Sequence, residues 1–285
     1  MEKIPIRYIN NTPTEPSLSG SFNIRSLRDL LNGKDMVQEL HGHDYFFILA
    51  LKEGTGDHEI DFTQYEVCGN SIFFLRPGQV HRLMLKVGTT GYLIRFRIDF
   101  YYPRDKVSNQ LLRKAAKVNL YQPDADRFQK LLSNLTYIFN EYTDKQDGYL
   151  EVIKANLGIF FIELVRQQSR SFSNNVNPYM QERLEEFLQL LETHISDQKQ
   201  VTQYAAMLNL STYQLNAITK ATLGKTCSER INEQIILESK RYLLATSNQV
   251  NQIAYHMGYE DVSYFIRFFK KQTGYSPEAF RNNFK

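Results

Sequence analysis

Three histidines in the first third of the chain have the residue type and spacing for metal chemistry. His41 and His43 form an H-x-H pair, and His81 follows the dipeptide Pro77-Gly78. Imidazole nitrogen suits Fe, Mn, Ni, Cu and Zn ions, and three histidines with a water molecule can hold such an ion. The same side chains could instead be ordinary hydrogen-bonded residues that line or plug the mouth of a barrel. The residues alone leave both interpretations open.

Other catalytic chemistry finds no support in the sequence. There is no Gly-rich phosphate loop, no H-E-x-x-H and no Gly-x-Ser-x-Gly motif. Cys68 and Cys227 are far apart and indicate neither a disulfide framework nor a zinc knuckle. No segment reaches the roughly 18 consecutive apolar residues of a membrane span, and the polar N-terminus does not resemble a secretory signal. We therefore expect a cytoplasmic protein that is not an enzyme, binds no cofactor and contacts no membrane.

The basic charge is concentrated in the C-terminal third of the chain. The 285 residues include 34 basic and 31 acidic ones, for a net charge of +3. Such a weak excess does not require a polyanionic partner. From Gln198 to Lys285, however, eleven basic residues stand against six acidic ones, a net charge of +5. This third is therefore the mildly basic end of the molecule.

Two segments within this basic third share one plan. Residues 201–224 and 250–274 each have the pattern of a short amphipathic helix, a tight break and a second helix that ends at a glycine. Ala205 aligns with Ala254, and Gly224 aligns with Gly274. The pattern predicts an internal repeat of a helix-turn-helix unit, in which the second helix presents polar residues to a DNA major groove.

The second segment also contains a dense set of signature residues. They are Ile253, Ala254, Gly258, Tyr259, Asp261, Ser263, Tyr264, Phe265, Arg267, Phe269, Lys270, Lys271, Gly274, Ser276, Pro277, Phe280 and Arg281. Through these residues the chain closely resembles the AraC/XylS family of bacterial transcription regulators. The resemblance is strong over residues 179–285 and looser in the N-terminal half. It implies two recognition helices that enter successive major-groove segments on one face of DNA, about 34 Å apart.

The resemblance also implies which residues face DNA. Amides such as Gln214 and Asn216 can pair with adenine, and Arg267 can bind guanine or a phosphate. The implied DNA-binding residues are Ser211, Thr212, Tyr213, Gln214, Asn216 and Lys220 in the first recognition helix, and Asp261, Val262, Ser263, Tyr264, Arg267, Lys270 and Lys271 in the second.

Some of these residues have a purely structural alternative. Asp261 is expected to cap its helix rather than to read a base, and Lys270 and Lys271 could simply be solvated. The side chains expected in the core are Tyr213, Leu215, Ile218, Phe265, Phe268 and Phe269. The first unit departs from the family pattern, because Ala217 replaces a frequent Arg and Thr219 a frequent Phe, and Ile235 replaces an Arg between the units. We therefore expect the second unit to bind DNA more firmly.

The first half of the chain has a strand pattern. Strands are predicted at residues 44–51, 58–67, 71–75, 80–87 and 91–100, separated by Gly and Pro turns. Several short strands at close spacing predict a small β-barrel or sandwich. Beyond Pro103 the hydrophobic period becomes helical, which predicts packed helices over about 108–168.

The sequence HGHDYFFILAL followed by RPGQVH resembles the cupin-like sensor domain that is frequent in this family. Metal-binding cupins carry a Glu a few residues after the two histidines, but Phe47 stands four residues after His43, and Asp44 points to the opposite face of its strand. The resemblance therefore favours an organic effector without metal. The implied effector residues are His41, His43, Tyr45, Phe47 and His81. The sequence leaves open which face of this strand points inward.

A predicted helix at about 150–164 carries an apolar seam. Its residues step by three and four positions: Leu150, Ile153, Leu157, Phe160 and Leu164. Such a seam is typical of a dimerisation helix, and equally of a helix that packs on its own barrel. Two heptads do not decide between these alternatives.

These features predict an α+β chain with a cupin-like β-barrel and packed helices, followed by an all-α domain with two helix-turn-helix units joined by a helix. The expected sensor and dimerisation domain spans 1–168, with the barrel at about 20–102 and the helices at about 108–168. A linker is expected at 169–177, because this segment is polar and rich in Ser and Asn. The DNA-binding domain is expected at 178–285.

The expected function is sequence-specific regulation of transcription. The expected partners are double-stranded promoter or operator DNA, an unknown small-molecule effector, RNA polymerase and a second copy of the chain in a homodimer. One alternative is a metal-dependent cupin enzyme with a helical appendage. Another is a regulator whose barrel only dimerises. The tandem helix-turn-helix pattern and the missing Glu favour the regulator over the enzyme.

Overall fold

Short strands separated by tight turns fold into two five-stranded sheets in the first half of the chain. The computed structural model describes residues 4–7, 21–101, 105–171 and 177–284. The chain divides into two compact units, Pro5–Ser173 and Asn174–Lys285. The first unit combines the sheets with a helical layer, and the described secondary-structure elements of the second are all helices. The predicted fold class is confirmed.

The ten described strands of the first unit are divided equally between the two sheets. In order they are β1 Ile6–Arg7, β2 Phe22–Ser26, β3 Met36–His43, β4 Phe46–Glu53, β5 Gly56–Ile60, β6 Thr63–Val67, β7 Ser71–Leu75, β8 Val80–Leu85, β9 Thr90–Phe96 and β10 Leu120–Tyr121. One sheet has the order β1-β3-β8-β5-β6, and the other β10-β7-β4-β9-β2. Every described pairing is antiparallel except that of β1 with β3.

Strand β4 is buried on both of its faces. Tyr45, just before the strand, and Phe47 and Leu49 belong to the core between the two sheets. Phe46 and Ile48 belong to a second core beneath the helical layer. This arrangement resolves the orientation that the sequence left open, because side chains alternate across a strand.

The segment 58–67 is a hairpin, which corrects the prediction of one strand there. Strands β5 and β6 pair with each other, and the two residues between them, Asp61 and Phe62, have φ angles of 46° and 67°. Two consecutive residues with positive φ form the tight turn whose twist suits an antiparallel hairpin. The Asp61 carboxylate accepts hydrogen bonds from the backbone N–H of Val80 and from Nε2 of Gln79, which holds the turn in place.

Three longer helices of the first unit cover the outer face of the second sheet: α2 Lys106–Ala115, α3 Ala125–Asp144 and α4 Tyr149–Ser171. The short helix α1, Leu27–Leu31, instead packs its two buried leucines into the core between the sheets. The side chains of Asp105 and Asp124 accept backbone N–H groups at the starts of α2 and α3. These capping bonds satisfy donors that have no partner within the helix.

Seven helices form the described part of the second unit. They are α5 Pro178–His194, α6 Val201–Met207, α7 Thr212–Leu223, α8 Cys227–Ala245, α9 Val250–His256, α10 Val262–Thr273 and α11 Pro277–Phe284. Helix α5 begins as predicted, with Asn177 as its cap and Pro178 at its first turn.

Helix α4 continues to Ser171, three residues into the predicted linker. The remaining linker residues 172–176 lie outside the described residues. So do residues 20 and 102, the predicted ends of the barrel.

Candidate functional sites

The two helix-turn-helix units repeat one geometry. Helices α6 and α9 have seven residues each, and α7 and α10 have twelve each. The aligned alanines, Ala205 and Ala254, are both buried, which brings the paired helices close together. The turn adopts a left-handed conformation at the aligned residues Asn209 and Gly258, with φ angles of 54° and 69°. The predicted internal repeat is confirmed.

Helix α7 presents its first turn to solvent. The Ser211 hydroxyl accepts the backbone N–H of Gln214, and the Gln214 side chain accepts the backbone N–H of Ser211. This capping box fixes the start of the helix. Thr212 and Tyr213 are exposed, with Tyr213 at 82%. The core assignment of Tyr213 was therefore wrong: Leu215 is buried, and a residue two positions away on a helix points to nearly the opposite side.

Asn216 has its amide engaged within the protein. Its Nδ2 donates to the carbonyl oxygen of Thr212, and its Oδ1 accepts the backbone N–H of Cys227 at 3.1 Å. The second bond ties α7 to the start of α8. This arrangement favours a structural role over the adenine contact that the family resemblance implied.

Helix α10 also presents a polar first turn. The Asp261 side chain accepts the backbone N–H groups of Ser263 and Tyr264, which confirms its predicted capping role. Ser263 and Tyr264 are exposed and Val262 is half-buried. The Arg267 guanidinium lies 3.8 Å from the Asp261 carboxylate, with both side chains largely exposed. A pair this exposed contributes about 1 kcal/mol or less, so it does not hold Arg267 away from DNA.

Exposed cations are unevenly shared between the two recognition helices. Lys220 is the exposed basic residue of α7, whereas α10 has Arg267, Lys270 and Lys271. In the described part of the chain, no ion pair is found for these three lysines. Other basic residues of this unit are engaged elsewhere: Lys225 and Arg230 pair with Glu233, Arg241 pairs with Glu238, and Arg281 donates to the carbonyl oxygens of Leu243 and Asn248.

The departures from the family pattern differ in their environment. Ala217 is exposed on α7, so the Arg that is frequent there would reach solvent or DNA. Thr219 and Ile235 are buried in the second unit. Their replacements therefore affect packing, and only Ala217 removes a candidate contact from the recognition helix.

Four histidines meet between the sheets of the first unit. His41 on β3 is paired with His81 on β8, and His43 shares a strand face with His41 because it lies two residues further on. His81 is also paired with Ile60 on β5, and His58 is two residues from Ile60. The register therefore places all four imidazoles on one interior face. All four are buried.

The imidazoles contact one another directly. His81 Nε2 lies 2.7 Å from His43 Nε2 and 3.2 Å from His41 Nε2, and His81 Nδ1 lies 2.8 Å from His58 Nε2. Burial lowers the pKa of His58 to about 3, with a further contribution from His41, so His58 is neutral at pH 7. Sequence reasoning missed His58, because its place in the cluster depends on how β5 pairs with β8.

Aromatic rings close this cluster on the side of the second sheet. The Tyr45 ring is 4.5 Å from the His43 ring, and the Phe47 ring is 5.1 Å from the His81 ring. The five predicted effector residues are thus brought together, and all are buried. Separately, an open polar groove of about 490 Å³ crosses the first sheet, and its lining includes Asp57, Gln64, Glu66 and Lys86 but none of those five.

The apolar seam of α4 packs inside its own unit. Ile153, Leu157, Phe160 and Leu164 are all 0% exposed and belong to the core beneath the helices, with Leu150 packed against it. Of the two alternatives left open for these five residues, packing within the unit is therefore confirmed and the dimer interface is wrong, because their side chains belong to or pack against the core shared with α3 and the sheet. The exposed apolar side chains of α4 are instead Ile159 and Ile162. No described helix combines the length and the apolarity that crossing a lipid bilayer requires.

Comparison with known proteins matches both halves of the chain to described domains. Residues 33–136 match the AraC-like ligand binding domain, and residues 204–283 match the Helix-turn-helix domain. The transcriptional activator RhaS of Pectobacterium atrosepticum is 23% identical over 257 residues, covering 85% of this chain and 87% of the relative. The transcriptional activator RhaR of Mannheimia succiniciproducens is 22% identical over 250 residues, covering 86% and 87%.

Two solved structures illustrate the structural similarity that the comparisons find. ToxT from Vibrio cholerae is 16% identical, with a TM-score of 0.42 over 92% of this chain and 97% of that chain. An AraC-type regulator from Chromobacterium violaceum is 23% identical, with a TM-score of 0.35 over 38% and 96%. The two matched domains together span more than half of the sequence, and the full-length relatives are transcriptional activators. The chain accordingly belongs to the AraC family and is a DNA-binding transcription regulator with an N-terminal ligand-binding domain.

Proposed function

We propose that each chain recognises its operator with two helices, α7 and α10, in successive major-groove segments on one face of DNA. The observation that carries this proposal is the repeat itself: two helices of equal length, each with a capped and exposed polar first turn. The N-terminal residues of a recognition helix are those that contact base edges. The candidate base contacts are Thr212, Tyr213 and Gln214 on α7 and Ser263, Tyr264 and Arg267 on α10.

Other candidate residues bind the DNA backbone or shape the recognition helices in this proposal. Lys220, Lys270 and Lys271 bind phosphates, which fixes register without reading sequence. Ser211 and Asp261 hold the first turns in the shape that DNA meets. Since α10 has more exposed cations than α7, the second unit supplies most of the electrostatic binding energy.

The sensor domain is proposed to bind a small-molecule effector and to form a homodimer. An effector that prefers one conformational state shifts occupancy of the operator by its difference in affinity between the states. Because the named relatives are transcriptional activators, activation through contact with RNA polymerase is the proposed outcome. The proposed role is regulatory rather than catalytic, in the cytoplasm where the operator is accessible.

Selection of genomic fragments by the full-length protein tests this function. The expected result is enrichment of a site near 20 base pairs, since two recognition helices one helical turn apart span that length. A salt titration on that site should give a log–log slope that corresponds to several phosphate contacts. A failure to enrich any site, with and without extracts that contain candidate effectors, would contradict the proposal.

A variant with both recognition surfaces removed provides the control for that selection. Thr212→Ala, Tyr213→Ala, Ser263→Ala and Arg267→Ala together leave every buried side chain and the Ser211–Gln214 capping box in place, so the fold should be retained. Specific enrichment is expected to disappear while weak nonspecific binding remains. Enrichment of the same site by this variant would place DNA recognition elsewhere on the chain.

A further inference from the structure

The histidine cluster has the arrangement of a metal site. One ligand nitrogen from each of His41, His43 and His81 lies within 4.8 Å of the other two. Strand pairing between β3 and β8 fixes this convergence, since His41 and His81 are direct partners across the sheet. No carboxylate or thiol of the described residues joins the group. The donor set is therefore three imidazole nitrogens from two adjacent strands.

Hydrogen bonds around the cluster orient two of these nitrogens toward its centre. His41 Nδ1 lies 2.6 Å from the carbonyl oxygen of Glu39. A carbonyl oxygen only accepts, so Nδ1 carries the proton of neutral His41 and Nε2 carries a lone pair. A proton on His81 Nδ1, donated to His58 Nε2 at 2.8 Å, would leave the Nε2 lone pair of His81 facing the same centre. Metal-bound histidines use this same pattern, in which the outer N–H donates to a carbonyl or another acceptor.

The spacing also suits a small ion. Nitrogens bound tetrahedrally at roughly 2.0–2.1 Å from an ion lie about 3.3 Å from one another. His81 Nε2 is 3.2 Å from His41 Nε2 and 2.7 Å from His43 Nε2, and one ligand nitrogen of each histidine lies within 4.8 Å of the others, so small ring movements would bring all three to this spacing. Each neutral imidazole has only one N–H to donate to a neighbouring ring. A bound cation, in contrast, would accept the Nε2 lone pairs of all three imidazoles at once.

We propose that His41, His43 and His81 bind a divalent transition-metal ion within the sensor sandwich, and that His58 orients His81 as its outer hydrogen-bond partner. Neutral imidazole selects Zn²⁺, Cu²⁺, Ni²⁺ or Fe²⁺ over Mg²⁺ and Ca²⁺, which bind oxygen ligands. Three protein ligands leave the fourth position of a tetrahedral ion to water or another small donor. This site departs from the expectation of a metal-free sensor.

Metal titration of tag-free, chelator-stripped full-length protein tests the proposal, with Zn²⁺ and Co²⁺ as probes. The expected result is one ion bound per chain, a rise in the melting temperature and the intense visible bands of four-coordinate Co²⁺. Absorption spectroscopy at the zinc edge should count three imidazole nitrogens. Failure of the wild-type protein to bind stoichiometric Zn²⁺ or Co²⁺ at micromolar concentration would overturn the proposal.

Three glutamine variants assign the ligands. His58→Gln, which alters only the outer partner, should weaken metal affinity about 10- to 100-fold, and His81→Gln should weaken it more. His194→Gln, on α5 of the other unit, is the matched control and should bind like the wild type. Equal binding by His81→Gln and His194→Gln would refute the assignment. If His81→Gln does not fold, the ligand count in the wild-type protein decides.

Operator binding in the same preparations separates this proposal from the proposed function. If His81→Gln loses metal binding but binds operator DNA with unchanged affinity, the result would support the metal site independently of the proposed function. Operator binding by a wild-type protein that takes up no metal would refute the metal site alone and leave the regulator intact.

Discussion

The guanidinium of Arg267 and the amide of Asn216 lie on the two recognition helices, yet their availability to DNA differs. Arg267 is largely exposed, and its ion pair with Asp261 is long. Asn216 donates and accepts within the protein and joins α7 to α8. Two polar residues implied by the same family resemblance therefore have different physical roles, one in contact with solvent and one in positioning.

Replacing Arg267 with alanine should weaken specific DNA binding by about 1–3 kcal/mol, because a bidentate contact to guanine or a phosphate is lost. Gel-shift titration on the selected operator measures the change. Arg166→Ala, which removes an exposed arginine of the sensor unit, is the control and should leave affinity unchanged. Equal affinities of the Arg267→Ala variant and the wild type would remove Arg267 from the recognition surface.

Sequence reasoning succeeded for residues whose roles depend on local chemistry. Asp261 was predicted as a cap because a short carboxylate before a helix accepts its first N–H groups. Tyr213 and His58 were not placed correctly, since their surroundings depend on packing between distant segments. An aromatic residue is normally expected inside, and only the phase of α7 against α8 shows that Tyr213 faces out.

The turns of the two helix-turn-helix units differ in the side chain that they carry at one left-handed position. Asn209 and Gly258 occupy the same left-handed position in the two units. A Cβ on Gly258 would lie 2.2 Å from the carbonyl oxygen of Ser196, which belongs to the loop before α6. The Lys199 ammonium donates to the carbonyl oxygens of both Ser196 and Gly258 and covers the Tyr259 ring. This contact joins the loop before α6 to the turn of the second helix-turn-helix unit.

Gly258→Ala should destabilise the DNA-binding unit by more than the roughly 1–2 kcal/mol that left-handed backbone costs an alanine, because backbone also blocks its Cβ. Gly274→Ala is the matched control: its φ angle is 82°, but a Cβ there would meet no described atom within 4 Å beyond its own chain neighbours. Chemical denaturation of both variants gives the comparison. An equal loss of unfolding free energy would show that the loop before α6 moves away readily.

Substitutions on the two sides of helix α4 distinguish a role in packing the sensor unit from a role in forming a dimer. Leu157→Glu should lower the melting temperature sharply, because a charge would enter an apolar core with no partner. Ile159→Glu, on the exposed side of the same helix, should change the unfolding free energy by less than about 0.5 kcal/mol. Thermal unfolding and sedimentation velocity should be measured on both. A Leu157→Glu variant that keeps its melting temperature but loses its dimer would restore the seam as an interface.

The element pattern was largely predictable in the helices and less so in the sheets. Caps and terminal glycines mark the ends of α5, α7 and α10, and the predictions there agree with the structure. The hairpin at Asp61 and Phe62 was missed, because neither residue is a glycine and the alternation of apolar residues continues through the turn. Likewise, a 3-4 spacing of apolar residues in α4 indicates a buried stripe without naming what buries it.

The whole molecule carries its excess positive charge unequally. The second unit contains the basic third, and within it the exposed cations gather on α10. From Ala217, the family resemblance predicted that the second unit binds DNA more firmly. The pairing of Lys225 and Arg230 with Glu233 depends on geometry that the sequence does not contain. DNA binding should therefore respond unequally to charge removal in the two units.

Neutralising Lys270 and Lys271 together should reduce the log–log salt slope of operator binding by about two, and Lys220→Ala by about one. A lysine that binds a phosphate displaces one counterion from the DNA, so each lysine removed lowers by one the number of counterions released on binding. Fluorescence anisotropy at several salt concentrations measures the slopes. The control is Lys154→Ala in the sensor unit, whose slope should match the wild type. Unchanged slopes in the α10 variant would mean that these lysines remain solvated in the complex.

Because strand β4 is buried on both faces, its amide groups should be among the slowest in the sensor unit to exchange hydrogen with water. Both edges of β4 are paired, with β7 and with β9, and apolar side chains cover both faces. Its amide protons can reach water only when both cores come apart. Deuterium should therefore enter β4 last, at the rate of complete opening, and earlier in the edge strands β2 and β6. The rate of hydrogen exchange in β4 would then report the rate at which the whole sandwich unfolds.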